Sequence, residues 1–126
     1  MNNRSVALRI PAGDIAARRI EHRPAGVDAN PYLVAATVLA GVRQGMANKT
    51  DPGPETTGNG YTDGQDAPAI PVDWRSAIDA AKASAFLKDA LGEDMHRTFT
   101  AIKAAEYARV ARTVSEVDFD LYLHTV

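Results

Sequence analysis

Cysteine is absent from all 126 residues, which excludes disulfides, thiolate nucleophiles and cysteine-based metal sites together. No charge of one sign dominates either. The formal net charge is −2, so nothing in the bulk electrostatics points to nucleic acid or an acidic membrane surface as partner. The longest nearly apolar stretch, Leu33 to Val42, falls well short of the ~20 residues a bilayer-spanning helix needs. The opening Met-Asn-Asn-Arg has no apolar run of the secretory type, and the expected compartment is the cytoplasm. Internal repeats and heptad arrays are also missing. Gly58-x-Gly60 is not followed by a helix at the distance a dinucleotide or phosphate-loop fingerprint requires.

What remains is the composition of an ordinary soluble domain, 45% hydrophobic and 24% charged. The size suits one domain with a modest core. Charge is unevenly spread. Residues 1–23 hold five arginines (Arg4, Arg9, Arg18, Arg19 and Arg23) against Asp14 and Glu21, a local +3 that leaves −5 for the rest.

The same 23 residues read as two strands. In Ser5–Ile10, Val6, Leu8 and Ile10 share one face while Ser5, Ala7 and Arg9 take the other. Pro11–Asp14 is a turn cluster. Arg19-Ile20-Glu21-His22-Arg23 alternates again, with Arg19, Glu21 and Arg23 on one face and Ile20 and His22 on the other. Two short strands are marginal alone, so they are expected to belong to a larger sheet.

Asn30-Pro31 is a helix start, and the helix predicted to follow runs to about Met46. Its apolar residues wrap nearly the whole circumference, which implies burial on most sides. Residues 48–72 form a Gly/Pro-rich loop longer than ordinary connections, and hence functional, covered or mobile. Helices then follow: one from Trp74 behind Asp73, one from Ser84 to Leu91, a long one from Glu93 to about Arg112, and a last one opened by Ser115 with Asp118. The predicted class is therefore α+β, a short N-terminal β-hairpin followed by a mainly helical remainder, in a single domain over 1–126.

On Arg19–Arg23 the alternation sets a carboxylate between two guanidiniums. Glu21 suits a hard divalent cation, and the arginines, joined by Arg4 and Arg9, suit phosphate or carboxylate oxygens. Such clamps are what phosphoryl transfer uses, because its catalysis is positioning and charge stabilisation. A solvated strand face with Arg–Glu pairs is the competing reading of the same residues.

Longer patterns weigh on that choice. Asn3-Arg4-Ser5, Arg9-Ile10-Pro11, Arg19-Ile20-Glu21-His22-Arg23 and Ala29-Asn30-Pro31-Tyr32-Leu33 occur in order, and together they resemble the glutamine synthetase family. Gly58-Asn59-Gly60-Tyr61, Ile70-Pro71, Ala83–Leu87, Leu91-Gly92, Glu106-Tyr107 and Thr113–Glu116 extend the resemblance over nearly the whole chain. The Glu-His-Arg-Pro-Ala-Gly wording and the tail look closest to the branch that joins glutamate to polyamines or other amines.

The resemblance implies an ATP- and Mg²⁺- or Mn²⁺-dependent ligase that activates the glutamate γ-carboxylate as an acyl phosphate, which ammonia or an amine then attacks. It implies that Glu21 ligates the nucleotide-side metal and that Arg4 meets the transferred phosphate. Arg9 and Arg19 would hold nucleotide phosphates, and Arg23 the substrate carboxylate. It also implies homo-oligomers with sites between neighbours. Family members are several times longer, and the remaining metal ligands lie in their upstream part. The expectation is a C-terminal portion that needs the N-terminal part of the subunit and is inactive alone. The alternative is a non-catalytic helical interaction module.

Among the other candidates, His22 is expected to be packed or hydrogen-bonded, and His96 and His124 to be surface residues. Trp74 is expected to anchor a helix start, and Met95, Phe99, Ile102 and Val110 to form a core or subunit-contact stripe. Tyr61 sits near where some bacterial members of the family carry a modified tyrosine, but its flanks differ.

Overall fold

The computed structural model describes residues 3–63 and 68–125. The chain divides into two compact units, Met1–Ala69 and Ile70–Val126.

The first unit opens with two antiparallel strands, β1 (Leu8–Arg9) and β2 (Glu21–His22), in the register Leu8 opposite His22 and Arg9 opposite Glu21. The ladder is shorter than the alternation suggested. One further bond, from the Arg23 amide to the Ala7 carbonyl at 3.0 Å, prolongs it. Between the strands Asp14 caps a single 3₁₀ turn, Ile15–Ala17, by accepting from the Ala17 amide at 3.0 Å.

Helix α1 (Pro31–Asn48) begins as its sequence dictates. The Asn30 side-chain oxygen accepts from the amides of Tyr32 (3.0 Å) and Leu33 (3.3 Å), with Pro31 in the first turn. It ends at Lys49, which takes the left-handed conformation (φ 51°) that glycine ordinarily supplies. The burial expected on most sides is not reached. Leu33, Val34, Thr37, Val38, Gly41 and Gly45 form a half-buried stripe, Tyr32, Leu39, Val42 and Met46 are exposed, and no residue of α1 is fully buried. An all-round apolar helix needs cover on several sides, and this chain covers one.

The Gly/Pro-rich loop belongs mostly to the first unit; Gly64 and the rest of 64–67 lie outside the described residues. The second unit contains α2 (Trp74–Ala83), α3 (Ala85–Leu91), α4 (Glu93–Val110) and α5 (Glu116–Tyr122). Ser84 ends α2 and caps α3, its hydroxyl accepting from the Leu87 amide at 3.1 Å. Gly92, at φ 79°, lets α3 turn directly into α4. A capping box of Ser115 and Asp118 starts α5, as the sequence suggested.

Helices α2 and α3 both pack on α4. The core between them is thin. Among the described residues Ile78 (5% exposed) is the buried hydrophobic and Thr100 (6%) the buried polar residue. Trp74 anchors the start of α2 edge-on against Tyr107, ring centres 5.7 Å apart, and the Arg75 guanidinium lies 5.9 Å from the same ring centre.

One expectation fails here, and another is met only in part. His96 is not a surface residue: half-buried, it joins α4 to α2 through Nε2, 2.8 Å from the Ala81 carbonyl oxygen. Met95, Ile102 and Val110 are exposed, while Phe99, Thr100, Lys103, Ala104, Tyr107 and Ala108 form the packed face. Small residues at 100, 104 and 108 let neighbouring helices approach beside Phe99, and the exposed Met95, Ile102 and Val110 keep the subunit-contact half of the expectation open. His124 is exposed as expected.

The chain exposes 10605 Å². Two separate compact bodies of these sizes would expose roughly 7,900 Å² together. The surplus therefore does not depend on how the units are arranged. Exposed apolar side chains contribute to it: Leu8, Ile10 and Ile20 on the hairpin, and Val117, Phe119, Leu121 and Tyr122 on α5. No helix among the described residues is long and apolar enough to cross a membrane.

Candidate active-site strand pair

Because β1 and β2 are antiparallel and Arg9 faces Glu21, a carboxylate and a guanidinium meet directly across the ladder. Arg9 Nε donates to Glu21 Oε2 at 2.7 Å, and its Nη2 reaches the same oxygen. The other oxygen, Oε1, accepts from Arg19 Nη2 at 2.9 Å. Arg19 stands two residues before Glu21, so strand alternation delivers it to the same face. Glu21 thus has one arginine on each oxygen.

Within this charged face the Arg9–Glu21 pair is covered, while Arg19, at 59%, is exposed. The side chains of Arg9 and Glu21 are 19% and 24% exposed, whereas Leu8, Ile10 and Ile20 are 61%, 71% and 62% exposed. His22, expected to be packed or hydrogen-bonded, is exposed with them rather than packed. The apolar face of the hairpin is the one this chain leaves open.

Electrostatics follow from that geometry. The hydrogen bond from Arg9 is the main reason that the Glu21 carboxyl is held below the ordinary glutamate range. Partial desolvation opposes it, and Arg19 adds to the lowering. Glu21 is therefore ionised at neutral pH, the state a metal ligand requires.

Arg23 leans the other way along the strand, its Nη1 donating to the Asn3 carbonyl at 3.4 Å. Arg4, next to Asn3, is exposed. The structure therefore brings Arg9, Arg19 and Glu21 into one hydrogen-bonded group and links Arg23 to the segment that carries Arg4.

Sequence reasoning missed the loop that docks on that segment. Asn3 Nδ2 donates to the Gly58 carbonyl (2.9 Å) and, more weakly, to that of Thr56 (3.4 Å). The Gly60 amide donates to Ser5 Oγ at 2.7 Å. Fifty-five residues separate Ser5 from Gly60, and no local pattern announces such a pairing. The glycines of Gly58-Asn59-Gly60 were the only hint.

A divalent ion fits this group only in part. It prefers six or more oxygens, and one carboxylate supplies two. Among the described residues no group of three or more His, Asp or Glu could hold a metal. Several guanidiniums on or beside one face, by contrast, suit phosphate oxygens.

Comparison with known proteins decides the family. The model of the glutamine synthetase catalytic domain matches residues 1–122. This chain belongs to the glutamine synthetase catalytic-domain family. It is 37% identical over 122 residues to gamma-glutamylputrescine synthetase PuuA of Escherichia coli K12, covering 97% of this chain and 25% of that protein. It is 34% identical over 127 residues to a glutamine synthetase of Methanosarcina mazei, covering 96% and 28%. A solved structure described as apo GmaS without ligand superposes with a TM-score of 0.77 at 30% identity, over 98% of this chain and 28% of that one. The α+β reading and the family resemblance hold. The chain spans about a quarter of the length of these relatives.

Proposed function

We propose that this chain contributes the nucleotide-phosphate side of the active site in a glutamine synthetase-type ligase that joins glutamate to an amine. The Arg9–Glu21–Arg19 group is the observation that carries the reading. ATP, when bound, would supply the phosphoryl group that activates the glutamate γ-carboxylate, and a divalent ion would neutralise phosphate charge. Glu21, ionised at neutral pH, contributes one ligand to that ion. Arg9 and Arg19 hold nucleotide phosphates, Arg4 meets the transferred phosphate, and Arg23 binds the substrate carboxylate. Each guanidinium stabilises charge without moving a proton, which suits a step governed by positioning. The incoming amine displaces phosphate from the acyl phosphate. The similarity to gamma-glutamylputrescine synthetase favours an amine over ammonia as acceptor.

One carboxylate is too few for a metal site, so the chain on its own should not catalyse ligation. The test is co-expression with the part of the E. coli gamma-glutamylputrescine synthetase that precedes the matched segment. Phosphate release that requires glutamate, putrescine and this chain, and that is lost with Glu21→Gln, supports the proposal. Glutamate-dependent phosphate release by the isolated chain would refute it.

The exposed apolar side chains of α5 favour a second reading, a helical module that docks on a partner without catalysis. A stable complex that binds no nucleotide in the same co-expression would select it.

A further inference from the structure

We propose that the loop around Gly58-Asn59-Gly60 is a positioning device for Arg4, and that Ser5 and Gly60 are its positioning residues. The inference rests on the role given to Arg4 above and extends it. Arg4 lies between two pinned neighbours. On one side the Asn3 amide group donates to the Gly58 carbonyl at 2.9 Å. On the other the Ser5 hydroxyl accepts from the Gly60 amide at 2.7 Å. The two pins are themselves joined, because Asn3 Oδ1 accepts from the Ser5 amide at 3.0 Å and from the Ser5 hydroxyl at 2.7 Å. Ser5 Oγ is thus donor and acceptor at once, a relay from loop to strand segment. Arg23, donating to the Asn3 carbonyl at 3.4 Å, ties the second arginine strand to the same point.

Gly60 has a steric reason to be glycine. A Cβ there would stand 2.5 Å from the Ser5 carbonyl oxygen and 3.1 Å from Ser5 Oγ. The first of these is main chain and cannot swing aside, so any side chain at residue 60 lifts the loop from Ser5. The loop keeps its own shape by other bonds. The Asn59 amide donates to Asp63 Oδ2 at 2.8 Å, and Asn59 Oδ1 accepts from the Tyr61 amide at 3.0 Å. What the Gly60–Ser5 contact adds is attachment. Attachment matters because Arg4 is exposed, and an exposed arginine loses much of its binding energy to ordering unless its backbone is fixed beforehand.

The test titrates the isotopically labelled full chain with inorganic tripolyphosphate, following the arginine side-chain and Gly60 amide resonances. Arg4→Ala should weaken binding about fivefold, the scale of one exposed charge-assisted hydrogen bond. Ser5→Ala and Gly60→Ala should each lose a similar factor, and Ser5→Ala should add nothing on the Arg4→Ala background. Ser5→Thr, which keeps the hydroxyl, should bind like the parent. Hydrogen exchange at the Gly60 amide should speed up in Ser5→Ala but not in Ser5→Thr. If Gly60→Ala unfolds the loop, Ser5→Ala with its threonine rescue still decides. Parent-like binding by Ser5→Ala, or a loss that adds fully to that of Arg4→Ala, overturns the positioning role alone. Parent-like binding by Arg4→Ala overturns the role of Arg4 and this inference with it.

Discussion

The open face of the hairpin should drive the isolated chain to associate, and three substitutions should relieve it. Leu8, Ile10 and Ile20 are 61%, 71% and 62% exposed. Complete burial of such a side chain is worth ~1.5–3 kcal/mol. About two-thirds of that remains unrealised at each position, so covering all three would release ~3–6 kcal/mol. The surplus surface of the whole chain over compact bodies of its size is roughly 2,700 Å², comparable to an obligate interface. Leu8→Thr, Ile10→Thr and Ile20→Thr together place β-branched residues of good strand propensity at all three positions while removing much of the apolar area. Size exclusion with light scattering should find the parent well above 13.5 kDa. The triple variant should associate at least about tenfold more weakly, the equivalent of 1.4 kcal/mol. The helical circular dichroism contributed by α2–α5 should be unchanged, because these helices lie in the other unit. A parent chain that stays monomeric at high concentration and binds no hydrophobic dye would refute the reasoning.

Ile78→Ala should remove ~2–5 kcal/mol from the second unit, the usual cost of a buried isoleucine. Ile102→Ala, at a position 51% exposed, should stay within ~0.5–1 kcal/mol. Urea unfolding followed at the helical signal separates the two. Lys49→Gly should stabilise α1 by ~0.5–1 kcal/mol, because lysine there holds φ 51°; an unchanged or lower melting point would count against a strained helix end. Acid should loosen both units. Glu21 is lowered chiefly by Arg9, Asp73 by Ser76, Glu93 by Lys88 and Asp118 by Ser115. Depressed carboxylates stabilise fully above their unfolded values, ~4.3 for glutamate and ~3.9 for aspartate, and that contribution is lost as pH falls through the lower folded values. Helical signal should therefore hold from neutrality to about pH 5 and decline below 4, and a loss centred near pH 6 would point to histidine instead.

Local rules wrote much of this chain legibly. Asn30-Pro31, Asp73, Ser84 and Ser115 with Asp118 each start a helix where the residues said they should, because a cap is decided by atoms within three residues of one another. Alternation on Arg19–Arg23 put Arg19 and Glu21 on one face for the same reason. Burial was not legible in this way. Within this chain α4 packs through Phe99, Thr100, Ala104 and Ala108 while Met95 and Ile102 stay exposed, because helix approach is set by the partner's shape as well as by hydrophobicity. His96 found its acceptor on another helix.

By itself, then, the amino-acid order determined the family, the class, the helix starts and the arginine–glutamate face, all written in short-range chemistry or in the run of motifs. Tertiary structure alone decided that Arg9 meets Glu21 across the ladder and that Gly60 closes on Ser5. It also decided that the Arg9–Glu21 pair is covered while Leu8, Ile10 and Ile20 on the apolar face stand open. These are relations between residues far apart in sequence or between opposite faces of one element. They depend on which surfaces the folded chain brings together, and no local pattern carries that information.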